Sequence, residues 1–275
     1  MSSAGFQVVD WVLVTAVALM WGSSFLAIKE ALFCLHPGAV VFLRVAAGAM
    51  TLALAHLCFH CHDARGASRA YVDAVACAGW PRIARLGLFW AAAPLTVAAI
   101  CQQWVGTGIA GMIFATPPVW GTLVNAALTG ILPSRTQAAG LMLGLAGVLL
   151  ILTPSMQRAH SASGISAATE RRRVFALSSM LLSAVSVAYG SCLAAPLQRR
   201  ATARAGHLGF LPSLVLMLST ATLYCLPYGA WGLAHSRCTA LGSPNDISVD
   251  VGGWLVWALG AELALGCLST GLAYL

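Results

Sequence analysis

Glu262 stands ten residues into an apolar run, 253–275, with no base within ten positions on either side. A carboxylate roughly 15 Å deep along a membrane-crossing helix costs about 2.5–3.5 kcal/mol. Such a group faces a cavity, meets a partner, or takes up a proton, because desolvation raises its pKa. The chemistry it offers is proton coupling or the pairing of a substrate cation. The alternative is a neutral, hydrogen-bonded core acid. Arg44, seven residues into the run 38–59, is the matching cation. It either pairs with an anionic solute or with Glu30, or extends to the headgroups as an interface anchor.

Uncharged polar groups fall at similar depths. Trp21-Gly22-Ser23-Ser24 sits in the middle of the run 11–30, and Tyr189-Gly190-Ser191 in the middle of 174–197. Glycine loosens a helix, and serine hydroxyls can bond freed carbonyls or a solute. The competing reading of each glycine is close packing against a neighbouring helix. Gln102, Gln103 and Trp104 close the run 84–103, while Thr116, Pro117, Pro118, Trp120 and Asn125 lie along 108–132. Adjacent prolines free backbone carbonyls and kink a helix, which is tolerable where it borders a cavity. The same polar groups also serve as interhelical glue. His56, Cys58, His60 and Cys61 form a dense set of nitrogen and sulfur ligands with His62 and Asp63. A structural zinc site needs a second ligand pair far along the chain, and none with clear spacing is present. The segment therefore reads as a helix end, with no metal or other cofactor expected.

The elements that must position these groups follow from composition. The chain has 275 residues, 59% apolar and 8% charged, with a mean hydropathy of +0.84. A soluble domain carries about 25% charged residues, and eight acids with fifteen bases cannot cover a soluble globule of this length. A soluble enzyme and a disordered chain are excluded, and an integral membrane protein is expected. Lys29 is the one lysine, with no Gly-x-x-x-x-Gly-Lys leading into it, so no ATP motor is encoded. The net charge of +7 is arginine-driven and sits in short loops beside apolar runs, a topology signal and not a nucleic-acid surface. The nine cysteines lie mostly within or beside those runs and read as small packing residues.

A helix crossing roughly 30 Å of hydrocarbon needs about 20 residues. Eight such spans are expected: 11–30, 38–59, 84–103, 108–132, 137–154, 174–197, 208–233 and 253–275. The uncharged stretch from 86 to 134 must hold two of them, turning near Gly106-Thr107-Gly108. Residues 155–173, rich in Ser, Ala and Arg, read as a linker. Alternating polarity, the mark of a β-barrel, is missing from runs such as Leu141 to Leu152. The fold class is an all-α polytopic membrane protein. With the N-terminus inside, the inner loops carry Arg65, Arg69, Arg82, Arg85, Arg135, Arg199, Arg200 and Arg204. The outer loops then carry Lys29, Arg158, Arg171, Arg172, Arg173 and Arg237. This imbalance favours a cytoplasmic N-terminus by a small margin.

An offset of 168 residues lays Trp21-Gly22-Ser23 on Tyr189-Gly190-Ser191 and brings three spans into register. The repeat unit would be five helices, residues 11–154 and then 174–275, and an odd unit inserts its second copy upside down. The offset also places counterparts of spans four and five at about 276–322, so the second repeat reads as incomplete and the chain as cut short at its C-terminus. Trp21 through Lys29, then Pro37, Phe42-Leu43-Arg44, Ala115-Thr116-Pro117 and Gly140, Gly144, Gly147-Val148-Leu149-Leu150 resemble an EamA-type repeat of the drug/metabolite transporter superfamily. Gly271-Leu272-Ala273-Tyr274-Leu275 resembles the third-helix ending of its second repeat. The resemblance implies ten helices in two inverted repeats, of which eight are present here, a central cavity, and movement of small metabolites or drugs. One departure is Gly130-Ile131-Leu132-Pro133, where the family often has Gly-Glu-Arg.

The expected function is a secondary transporter of small organic solutes, amino-acid-like ones included, working by exchange or proton-coupled efflux. Its partners are the lipid bilayer, the solute and protons, not nucleic acid. The expected location is the plasma (inner) membrane. Gly140-x-x-x-Gly144 suits close packing within the bundle, with a homodimer as the alternative. A membrane-embedded enzyme, which would need paired acids or several histidines at the membrane face, and an inactive fragment are the rival readings.

Overall fold

The computed structural model describes residues 8–59, 64–160, 167–205 and 210–236, and these are helical with short connections. The helices are α1 (Val8–Ala31), α2 (Pro37–Phe59), α3 (Ala64–Ala78), α4 (Trp80–Leu86), α5 (Ala93–Cys101), α6 (Thr107–Ile113), α7 (Pro117–Thr129), α8 (Arg135–His160), α9 (Ala167–Ala205) and α10 (Leu211–His235). A π-helical turn, Gly87–Ala92, joins α4 to α5.

Among the described residues, five stretches are long and apolar enough to cross a bilayer: Pro37–Cys58, Trp80–Cys101, Thr107–Thr129, Ala168–Ala201 and Leu211–His235. They coincide with five expected spans, and α1 and α8 overlie two more. The eighth, 253–275, lies outside the described residues, and with it Glu262. The architecture is an all-α polytopic membrane protein. Three details differ from the expectation. A 15-residue helix, α3, occupies what read as a loop; it buries Ala74 and exposes Arg69, Val72 and Asp73. Span 108–132 is broken, with Phe114, Ala115 and Thr116 between α6 and α7. The linker-like stretch 155–173 is helical at both ends, since α8 runs to His160 and α9 starts at Ala167.

Local chemistry explains the element ends. Proline opens α2, α7 and α10 in the first turn, where a missing N–H is harmless. Ser134 and Gln137 form a reciprocal box at the start of α8. The Gln137 N–H donates to Ser134 Oγ (3.3 Å) and the Ser134 N–H to Gln137 Oε1 (3.0 Å). Gly130, at φ 73°, stops α7 in the left-handed conformation and returns its N–H to the Ala126 carbonyl.

Among the described helices, the largest interface joins α2 to α10. The start of α2 lies on the end of α10, so the two run antiparallel. A Cβ at Gly38 would strike the Tyr228 carbonyl, one at Gly229 the Phe42 side chain, and one at Gly232 would come 2.7 Å from the Ala39 nitrogen. Without water to drive apolar association, small residues that let backbones touch hold such helices together. The His36 N–H donates to Ser236 Oγ (3.1 Å), whose hydroxyl donates to the Gly232 carbonyl (2.8 Å), pinning the same corner. Around this seam grows the larger core, with Val41, Val45, Leu86, Leu214, Met217 and Leu218.

Candidate functional site

Two interruptions in otherwise regular helices create the space that a site needs. The first is the π-helical turn before α5. There the Ala93 N–H reaches back to the Leu88 carbonyl. In that register the Phe89 carbonyl should receive the N–H of residue 94, but Pro94 has none. Ser186 on α9 supplies the missing donor, its hydroxyl 2.7 Å from the Phe89 oxygen, and Ser183 donates to the Pro94 carbonyl at 3.1 Å. Widened turns of this kind recur at functional sites because they re-aim side chains without ending the helix.

The second interruption lies between α6 and α7. Pro117 denies the Ile113 carbonyl its α-helical donor; the Thr116 N–H (3.1 Å) and hydroxyl (2.6 Å) both donate to it instead, and the hydroxyl accepts Trp120 Nε1 at 3.1 Å. Thr116 is thereby used within its own helix break.

Between these interruptions lies a cavity of about 630 Å³, within the ~300–1,000 Å³ typical of small-molecule sites. Its wall draws Ser24, Phe25 and Ile28 from α1 and Arg44 and Val45 from α2. Trp90 and Pro94 come from the widened turn and α5, and Phe114 and Pro117 from the α6–α7 break. Val187, Ala188 and Ser191 of α9 and Met217 and Leu218 of α10 complete it, so both halves of the chain contribute. The rings of Phe25 and Phe114 sit 5.3 Å apart on this wall.

The EamA-like transporter family model matches residues 11–153, more than half of the chain. The chain belongs to the EamA-like transporter family. No curated protein and no solved structure matches it.

Within this EamA-like chain, Arg44, Pro117, Pro118 and Ser191 are the residues singled out by sequence that come together on the wall, with Ser24 of the first aromatic-glycine-serine motif. Arg44 is 9% exposed and buried in the protein. Gly22 and Ser23 are exposed, two and one positions short of Ser24; the side chain of Trp21 lies outside what is described. Gly190 is buried against α5's side of the bundle, where a Cβ would come 2.7 Å from Trp90 Cβ, so it sets helix spacing. Tyr189 meets Phe89 edge-on at 5.5 Å. Gln103 is exposed, whereas Gln102 is wholly buried away from the described cavity wall. The main-chain oxygen of Gln102 receives Lys29 Nζ at 2.6 Å, which ties the end of α1 to the end of α5.

His56 is buried and packs edge-on against Tyr71 at 4.8 Å, while Cys58 is exposed. Among the described residues no three His, Cys, Asp or Glu gather as metal ligands. His60 and Cys61 lie outside them. Outside the spans, burial raises the Tyr71 pKa, and burial followed by the charge of His235 lowers that of His36. Sequence reasoning missed Phe25, Trp90, Pro94 and Phe114. Pro94 within an apolar run was the available signal, by the same argument that marked Pro117.

Proposed function

We propose that this chain carries a small organic metabolite or drug across the membrane by alternating access, using the cavity as its central site. The observation that supports it most is the cavity's construction: a membrane-depth space at two helix interruptions, walled by both halves of an EamA-like chain. Binding sites between repeats, at broken helices, are the general plan of secondary transporters. Two inverted repeats, 11–154 and 174–275, fit the antiparallel seam of α2 and α10, which are the helices that the 168-residue offset relates.

Energy would come from exchange or from proton antiport, with Glu262 as the proton-carrying acid. We place the chain in the plasma (inner) membrane, N-terminus inside, as a bundle closed on itself, with a homodimer through α8 as the other assembly. The test uses cysteine accessibility in sealed vesicles. With native cysteines replaced, Ser191→Cys should react with a membrane-impermeant thiosulfonate from either side, and fixing one orientation should protect it from the other. Reaction from neither side would remove the cavity from the transport path.

A further inference from the structure

One end of the bundle gathers arginines that lie far apart in the chain. We propose that α3, with the adjoining ends of α4 and α9, is a docking surface for anionic phospholipid, whose headgroup phosphates are received by Arg69, Arg85, Arg199 and Arg200.

Helix α3 is held at the membrane border from both sides. It starts at Ala64, shortly after the span Pro37–Cys58 ends, and it reaches the span Trp80–Cys101 through Gly79 alone, at φ 76°. Tied at both ends, its 15 residues lie at headgroup level. Ala74 is buried, Tyr71 and Ala78 pack against the larger core, and the Tyr71 ring meets His56 of α2. Arg69, Val72, Asp73 and Ala76 are exposed, at spacings of three and four that put them on one face.

The end of α9 comes to the same level. Ser183 bonds to Pro94, Ser186 bonds to Phe89, and Gly190 lies on Trp90, so α9 runs antiparallel to α4 and α5. Continued in that direction, Arg199 and Arg200 approach the start of α4 and the end of α3, and α9 packs against both helices. Both arginines are exposed, as is Arg85. The sequence segments 60–86 and 198–210 together carry seven arginines against two acids, Asp63 and Asp73. The border is therefore cationic whatever pairs form within it.

Val72 and Trp80 are exposed at this level too. Arginine forks match phosphate oxygens, and a basic amphipathic helix with an aromatic ring at its end suits an interface of headgroups above acyl chains. A soluble polyanion would use the arginines and leave Val72 and Trp80 in water. With the N-terminus inside, as proposed above, this border faces the cytoplasm, where anionic lipid gives the leaflet its negative potential.

The test follows lipid binding to the purified full chain in a neutral detergent by native mass spectrometry, with dioleoyl phosphatidylglycerol and dioleoyl phosphatidylcholine as probes. The first phosphatidylglycerol should bind about fivefold or more tighter than phosphatidylcholine, the gain expected of even one arginine beside an anionic surface. Replacing Arg69, Arg85, Arg199 and Arg200 together by Gln should abolish that preference, and replacing them by Lys should keep it. Gln at Arg171, Arg172 and Arg173, at the opposite end of α9, should leave it intact. Glycerophosphoglycerol, the same headgroup without acyl chains, should not displace the lipid at millimolar concentration.

Equal binding of the two lipids overturns the proposal, and that comparison needs no variant to fold. A preference that survives the fourfold Gln change, or that the Arg171–Arg173 change removes equally, overturns the location. Loss of preference in the Lys variant overturns the charge argument. Displacement by glycerophosphoglycerol makes the surface a free-anion site and overturns the lipid as its occupant.

Discussion

Gln102 and Arg44 are both buried polar side chains, and their surroundings differ in kind. Arg44 borders the cavity. The Gln102 carboxamide, 0% exposed, has no hydrogen-bond partner at Oε1 or Nε2 among the described residues, and it sits beside the apolar cluster of Cys101, Val105 and Met180. An unmet buried polar group costs about 1–3 kcal/mol. Gln102→Leu, of similar volume, should therefore raise stability by about 1 kcal/mol, read as a higher melting temperature of the purified chain. The Lys29 bond survives the change because it uses the main-chain oxygen. At this scale the sequence identified polar groups at membrane depth but not their directions. Gly22 and Ser24 are two residues apart, about 200° around a helix at 3.6 residues per turn. One is open and exposed while the other lines the cavity. Helix rotation is a tertiary property, set here by what packs on α1, and no spacing within the motif encodes it.

Among the elements, α2 is capped by an unusual acceptor. The Gly38 N–H donates to His36 Nδ1 at 3.1 Å, which leaves the imidazole proton on Nε2. The ring is edge-on to Tyr228 and Trp231, and His235 stacks on Trp231. Burial and then His235 hold the His36 pKa below the ordinary 6.5. A lowered folded-state pKa means that the unfolded chain binds the proton more readily. The cap's contribution is therefore complete above about pH 6.5 and fades as pH falls through the window beneath it. The imidazolium is a donor only and also sits at the positive end of the α2 dipole. Melting temperature should fall on acidification from pH 8 to pH 5, and His36→Asn, an acceptor that does not titrate, should flatten part of that fall. An equal slope in both proteins would assign the effect elsewhere. Spans and prolines were legible at this scale, since length and missing donors are written in the chain. The π-helical turn was not, because Gly87–Ala92 is uniformly apolar and has no period to misfit. Helix α3 was hidden because a hydropathy window averages Arg69 and Asp73 with the apolar side they border.

At the scale of the whole molecule, the order of spans assigns each connection to a side. With the N-terminus inside, α3 and the α7–α8 turn lie inside, and the α5–α6 turn lies outside. On intact cells lacking native cysteines, Gln103→Cys should react with an impermeant maleimide and Ser68→Cys should not; the reverse pattern would invert the topology. Family and fold class were legible because both rest on patterns distributed along the chain, from Trp21 to Leu150. The cavity was legible only in part of its wall, Arg44, Pro117, Pro118 and Ser191. Its enclosure depends on α9 and α10 folding back over the first half, a long-range arrangement that local sequence does not carry.

The seam between α2 and α10 bears on how such a bundle can move. Its contacts are backbone against backbone at Gly38 and Gly232 and main chain against the Phe42 side chain at Gly229, with the Tyr228 ring beside Gly38. Sliding one helix past the other by a turn, about 5.4 Å, would drive an aromatic ring into main chain. Shear is blocked there, while a small tilt about the touching points costs little. The two helices come from opposite halves of the chain, so in the alternating-access cycle proposed above this line would be a pivot common to both, and the parts that swing would be those farthest from it.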